Sequence, residues 1–170
     1  AVAKLAGEKY CQAFTRSYGL ETVALRYFNV FGTGQDPKSQ YAAAIPLFIT
    51  AFLDGGHIQI NGDGEQSRDF TFIDNVVQAN MKAAVAEGAV GEVFNVACGD
   101  RTSLNQILDH LREVTEVEVG VDYGPDRPGD VKHSMADISK ARNILGYNPV
   151  VSAEEGLRRS ITWYRTARKQ

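Results

Sequence analysis

The stretch from Leu25 to Gly32, LRYFNVFG, constrains this chain more than any other. From Leu20 to Phe28 apolar, β-branched and aromatic residues dominate, and such a run reads as a buried strand. Asn29 then interrupts it just before Gly32 and Gly34 turn the backbone. A polar amide at the exit of a buried strand needs a partner. In α/β proteins ligands gather in that place, outside the carboxyl ends of the strands. Asn29 is therefore a candidate ligand contact, and the competing reading is that it caps its own turn.

The remaining elements follow from periodicity. Residues 1–18 have the pattern of a helix with Leu5, Tyr10, Phe14 and Tyr18 on an apolar side and Lys4, Glu8, Lys9 and Arg16 facing outward or sideways, stopped by Gly19. Helix, short connection, then strand is the rhythm of a doubly wound sheet. A polar loop from Gly34 to Tyr41 precedes a helix with Pro46 in its first turn, which ends at Gly55-Gly56. Strands over 58–60 and 67–73 around the Gly62-Asp63-Gly64 turn suggest a small β element outside the main sheet. Asp74 is placed to cap a helix whose packed face holds Val77, Met81, Ala84 and Val85. A buried-type strand at 92–98, carrying Asn95, follows. Capping-box spacings at Ser103/Gln106 and Ser152/Glu155 each open a helix, Val117 to Val121 reads as an accessory strand, and Asp137 starts a short helix ending near Gly146.

Composition removes several classes of function. With 44% hydrophobic residues over 170 positions the chain has material for a real core, and its net charge of −3 carries no basic stripe for nucleic acid. No apolar run is long enough to span a bilayer. His57, His110 and His133 are dispersed, so no metal site is expected. Cys11 and Cys98 are a lone, distant pair for which a disulfide is not expected, and a reducing cytoplasmic setting fits. The opening AVAKLAGEKYC has no initiator Met and reads as the inside of a helix, so the natural protein is expected to begin upstream.

Arg68 and Arg127 stand out next. Each lies in a Gly- or Pro-containing segment from which a guanidinium can reach across a cleft, and its fork matches phosphate oxygens. Two such arms would suit a diphosphate. Against this stands a plain alternative, in which they form surface ion pairs with the nearby Asp69 and Asp130. Lys4 by itself reads as a solvated charge. The aromatics Tyr27, Phe28, Phe31, Phe70 and Phe72 either wall a base or sugar pocket or belong to the core, and Asp36 and Tyr41 in the polar loop are weaker candidates for the same cleft.

Taken in order, AVAK, RYFNVFG, NGDGEQSRDF, RPGD and SMADISKARNILGYNP resemble the C-terminal half of an extended short-chain dehydrogenase/reductase of the nucleotide-sugar epimerase and dehydratase family. The resemblance covers the whole chain and is greatest to bacterial UDP-N-acetylglucosamine 4-epimerases. It implies an α/β fold: the C-terminal portion of a Rossmann-like doubly wound parallel sheet plus a small mixed α/β substrate-binding domain. Residues 1–32 would complete the NAD-binding domain, with a return strand near 72–98, and residues 33–71 and 99–170 would mainly build the substrate domain.

What the resemblance implies about chemistry is specific. Lys4 would be the lysine of a Tyr-x-x-x-Lys motif whose catalytic Tyr lies just before Ala1, and with Tyr27 it would contact NAD. Asn29 would touch the nucleotide-sugar, Arg68 and Arg127 would hold its pyrophosphate, and Asp130 would belong to the same substrate site. The implied reaction is NAD-dependent epimerisation at C4 of a UDP-hexose by a homodimer, with no membrane or nucleic-acid partner. The Gly-rich dinucleotide fingerprint is absent from these residues, so the chain alone is expected to be inactive. A 4,6-dehydratase or decarboxylase of the same family is the alternative within the class, and a non-catalytic sugar-nucleotide-binding module is the alternative outside it.

Overall fold

The computed structural model describes residues 2–37 and 44–168. Helix α1 (Val2–Tyr18) runs into β1 (Ala24–Tyr27), a bend at Asn29 and β2 (Val30–Phe31). Helix α2 (Ala44–Asp54) leads to β3 (His57–Asn61), then β4 (Ser67–Arg68) and β5 (Thr71–Phe72), from which α3 (Ile73–Ala83) starts directly. Strands β6 (Val93–Val96) and β7 (Thr102–Ser103) precede α4 (Leu104–Thr115) and β8 (Gly120–Gly124). A π-helical turn (Ala141–Leu145) and α5 (Ala153–Ala167) complete the chain.

The α/β expectation holds. Strands β1 and β6 pair in parallel from Ala24 opposite Val93 to Tyr27 opposite Val96, and β2–β5 and β3–β8 are also parallel. Among the described residues only β4 and β7 run antiparallel. Two apolar clusters result. One gathers Phe31, Ile45, Phe52, Ile60, Phe72 and Leu157 between α2, α4 and α5; the other gathers Val76, Ala79, Phe94, Val96 and Tyr147 around β6, α3 and the π-helical turn. Ile73 packs against both.

Several local expectations are corrected. Strands over 58–60 and 67–73 do not pair with one another: β3 takes β8, and the second run splits at Asp69-Phe70 into β4 and β5, which join different partners. The accessory strand lies at Gly120–Gly124, three residues beyond its expected start. Asp74 does not cap α3. The N-cap is Phe72, with no side-chain bond, while Asp74 pairs with Arg159 at 3.1 Å. Helix α3 buries Asn75, Val76, Ala79 and Ala83, so the face carrying Val77 and Met81, with Val85 just past its end, is the outward one. Leu20 lies before β1 and is half exposed, and Tyr27 is half exposed rather than buried, since β1 is bonded to a single neighbour among the described residues.

Helix α1 is also turned relative to expectation. Its buried residue is Glu8, whose carboxylate accepts two hydrogen bonds from Arg26 at 2.6 and 2.9 Å, and Leu5, Tyr10, Phe14 and Tyr18 are exposed. That charged pair holds the Glu8 carboxyl below the ordinary carboxylate range. The capping box at Ser103 forms in full, with its hydroxyl accepting from Gln106 N at 3.2 Å and Gln106 Oε1 accepting from Ser103 N at 2.8 Å. At α5 only the Ser152 half is made, because the Glu155 carboxylate is taken by Arg159 and Arg158. Cys11 and Cys98 are both free thiols.

Candidate active-site cleft

The site is built outward from the bend at Asn29. With φ of +36° Asn29 adopts a left-handed conformation that amide side chains tolerate better than most. Its Nδ2 donates to Asp69 O at 3.0 Å while Thr71 N donates to Asn29 O at 3.2 Å. The bend at the end of β1 is thereby fastened to the segment between β4 and β5. Gly32 follows because no side chain fits there: a Cβ would lie 2.6 Å from Ile73 Cγ2.

Asp69 is the fixed point of that segment. Wholly buried, it accepts hydrogen bonds from Cys98 N at 2.8 Å, Gly99 N at 2.9 Å and Ala136 N at 3.3 Å. Burial pushes its carboxyl up from the usual range against the pull of those amides, and also raises the neighbouring Cys98 thiol to about 11, where it is a poor nucleophile. In extended backbone adjacent side chains point to opposite sides, so a buried Asp69 turns Arg68 toward the opposite face.

Arg68 faces a cleft of about 500 Å³ whose apolar walls include Phe31, Ile45, Phe48 and Phe70. Its Nη1 donates to Ser67 O at 2.9 Å and Lys132 O at 3.2 Å, and its Nη2 to Asp130 Oδ1 at 2.6 Å. Of the five guanidinium N–H groups two remain without a protein partner among the described residues. Arg127 lines the same cleft and makes no ion pair among the described residues. A turn closed by Asp130 N donating to Arg127 O at 3.1 Å carries both residues. The chain beyond them is zipped to β4: Ser67 N donates to Lys132 O, Ser134 N to Ser67 O, and His133 Nδ1 shares a proton with Ser67 Oγ at 2.8 Å.

Asn29, Arg68 and the Arg127–Asp130 turn, which are three separate points in the sequence, thus line one cleft. The ion-pair alternative is met only in part, since Arg68 pairs with Asp130 and not with Asp69. Lys4 and Tyr27 are not among the cleft's lining residues. Lys4 is exposed on α1, and the Tyr27 hydroxyl donates to Asn80 Oδ1 at 3.0 Å. Phe31 and Phe70 wall the cleft whereas Phe72 lies in the core. Asn95 donates to Asp137 O at 3.0 Å and serves the backbone, Asp36 is not a lining residue, and Tyr41 lies outside the described residues.

Sequence reasoning missed Gln59, Asn61 and Gln66, whose polar side chains border the cleft. The alternation of His57–Asn61, with Ile58 and Ile60 buried and the residues between them exposed, was the signal that could have found the first two. Among the described residues no group of three or more His, Cys, Asp or Glu side chains could hold a metal ion, and no helix is long and apolar enough to cross a membrane.

Known proteins share this fold. A putative UDP-glucose 4-epimerase of Methanocaldococcus jannaschii is 35% identical over 95% of this chain and 52% of its own length. The crystal structure of a UDP-glucose 4-epimerase with UDP-glucose from Thermotoga maritima superposes with a TM-score of 0.92 at 40% identity, covering 98% of this chain and 53% of that one. A UDP-N-acetylglucosamine 4-epimerase from Methanobrevibacter ruminantium, in complex with UDP-N-acetylmuramic acid, gives 0.89 at 43% identity over 96% of this chain and 52% of that one. The chain spans about half the length of the curated relatives it matches. Residues 1–97 match the family model described as the NAD dependent epimerase/dehydratase family, and to that family this chain belongs.

Proposed function

We propose that this chain forms the substrate-facing half of an enzyme that epimerises C4 of a UDP-hexose with NAD, UDP-N-acetylglucosamine and its galacto epimer being the substrate pair. The observation that carries the reading is the convergence of Asn29, Arg68 and Arg127 on one cleft with apolar walls. A guanidinium with two unpartnered N–H groups and a second guanidinium with no ion pair, both among the described residues, suit a pyrophosphate, and the aromatic walls suit a base or a sugar face. Asn29, at the strand exit, would hydrogen-bond the sugar through the amide oxygen that its bond to Asp69 leaves free. In this reading residues 1–32, with the strand near 72–98, complete the cofactor domain and residues 33–71 and 99–170 mainly bind substrate, although residues 136–147 pack with the strand at Val93–Val96 and Phe31 and Phe72 pack with the other cluster.

The residues present fit one end of the cofactor. Lys4 is exposed and makes no ion pair or hydrogen bond among the described residues, and Tyr27 is half exposed at the end of a strand bonded on one side only. NAD, when bound, supplies the acceptor and donor of hydride at C4. The ammonium of Lys4 would bind the nicotinamide ribose and stabilise the tyrosinate of a motif tyrosine four positions upstream, keeping that base deprotonated near neutral pH. Arg68 and Arg127 would hold the pyrophosphate still while the sugar turns over.

The test is direct. The complete protein, given UDP-N-acetylglucosamine and NAD, is expected to yield the galacto epimer with no change in mass. Absence of that epimer would end the substrate assignment; a product lighter by water would move the chain to the dehydratase branch, and loss of carbon dioxide from the corresponding UDP-uronic acid would move it to the decarboxylase branch.

A further inference from the structure

Helix α1 buries a charge that the chemistry proposed above does not use. Glu8 is its one buried residue, and no residue of α1 is part of either apolar cluster. Neutral hydrogen bonds tie the second half of the helix to the chain around β1 and β6. Thr22 Oγ1 donates to Cys11 O at 2.9 Å, Thr15 Oγ1 to Leu20 O at 2.7 Å and Gln12 Nε2 to Gly91 O at 3.4 Å. Closer to the N-terminus a single hydrogen-bonded contact, among the described residues, reaches another element. There the Glu8 carboxylate takes the Arg26 guanidinium as a fork, Oε2 accepting from Nε at 2.6 Å and Oε1 from Nη2 at 2.9 Å. Lys9 Nζ also stands 3.6 Å from Glu8 Oε1, but it belongs to the same helix and fixes nothing between elements. A bidentate pair sets distance and direction together, and setting register is the best-attested use of an ion pair withdrawn from water.

That fork lies between the two sides of the site. Helix and strand run in opposite directions, since Thr22 meets Thr15 and the later Arg26 meets the earlier Glu8. Lys4 is one turn before Glu8 on the same side of the helix, as residues four apart are. The turn advances about 6 Å, a height that a strand covers in about two residues. Lys4 therefore stands level with Phe28, beside the bend at Asn29. Resting on the reading above, in which Lys4 tunes the motif tyrosine and Asn29 meets the sugar, we propose that Glu8 is a positioning residue. Its fork with Arg26 fixes the rotation and height of α1 against β1, and so the place of Lys4 and of the tyrosine one turn before it. The tyrosine, Lys4 and Glu8 then form one stripe at intervals of four residues, anchored by the ion pair. Without the fork α1 is free to turn on its axis, and a misplacement of about 1 Å at reacting groups costs on the order of a hundredfold in rate. Substrate affinity is set elsewhere in that reading, by Asn29, Arg68 and Arg127 of the cleft.

The experiment takes the complete protein, its Glu8→Gln variant, and a Glu8→Met, Arg26→Leu double variant that removes both charges at once. Glu8→Gln keeps the shape of the side chain and leaves the Arg26 guanidinium half exposed, where water solvates it. Three quantities are read. They are the dissociation constant of UDP-N-acetylglucosamine by calorimetry, kcat for its epimerisation, and the pH at which the motif tyrosine loses its proton. The last is followed by ultraviolet difference absorbance against a protein with phenylalanine in place of that tyrosine. Both variants should lower kcat about tenfold to a hundredfold and move the tyrosine titration to higher pH, since a displaced Lys4 no longer favours the tyrosinate. The dissociation constant should change by less than about threefold. The double variant is expected to melt close to the wild type, so that its loss of rate is one of position. If kcat and the titration hold while only the melting temperature falls, Glu8 merely stabilises α1 and the proposal is wrong. If the dissociation constant rises as far as kcat falls, the effect passes through the cleft and the proposal is again wrong, the nucleotide-sugar reading surviving in both cases. Lys4→Ala decides the reading itself: a tyrosine titration unchanged by that variant would overturn the role of Lys4, and this inference with it.

Discussion

Asn29 and Arg68 show how single residues make this site. The bond from Asn29 Nδ2 to Asp69 O and the left-handed backbone at φ of +36° work together, and Asn29→Ala would lose the bond while keeping the strain. We expect that change to cost about 1–3 kcal/mol in urea denaturation. Arg68→Ala should weaken UDP-sugar binding in the complete protein by about tenfold to a hundredfold, the value of one charge-assisted bond to phosphate. An unchanged dissociation constant would return Arg68 to its ion pair with Asp130. Asn29, Arg68 and Arg127 were legible because each interrupts a pattern: an amide ending an apolar strand, and guanidiniums in segments too rich in Gly or Pro for regular structure. The role of Asp69 was not legible. Adjacency in sequence suggests that it pairs with Arg68, but adjacent residues in extended backbone face opposite ways, and only the fold brings Cys98, Gly99 and Ala136 to its carboxylate.

At the level of elements, α4 and α5 hold the cleft from behind. The complete capping box at Ser103 predicts that Ser103→Ala costs about 1 kcal/mol, with a lowered urea midpoint at unchanged slope. Helix α5 packs closely because residue 156 is a glycine: a Cβ there would lie 2.8 Å from both Phe31 Cζ and Phe72 Cδ2. Gly156→Ala should therefore cost about 1–3 kcal/mol by overpacking, and since Phe31 also walls the cleft it should weaken UDP-sugar binding as well. The same helix gives a pH dependence. Arg159 and Arg158 hold the Glu155 carboxyl below its ordinary value of 4.5, so its contribution to stability is full above that pH and is lost as pH falls through the depressed value. Glu155→Gln should flatten the acid limb of a plot of melting temperature against pH. The caps at Ser103 and Ser152 were readable because they depend on neighbours in sequence, whereas Asp74, drawn to Arg159 of another helix, was not. The pairing of β3 with β8 was not, since that parallel partner comes from a segment some sixty residues away, and local spacing favours a hairpin.

For the whole molecule, the exposed Tyr10, Phe14 and Tyr18 of α1 and the polar contact of its buried side through Glu8 and Arg26 leave an apolar stripe facing outward. A second copy of the chain is the expected occupant. Sedimentation of the complete protein should report a dimer, and Phe14→Glu should yield monomers whose helical content is unchanged; a monomeric wild type would refute this. Such a face was legible as apolar, but its direction was not, because periodicity identifies a stripe without saying which neighbour covers it. The three amides held by Asp69 carry a last consequence. They tie the end of β6 and the segment at Ala136 to the link between β4 and β5, and their acceptor has no exposed surface, so freeing them means drawing a buried carboxylate away from all three at once. In deuterated water Cys98, Gly99 and Ala136 should therefore be among the last backbone protons to exchange, serving as built-in clocks for complete unfolding.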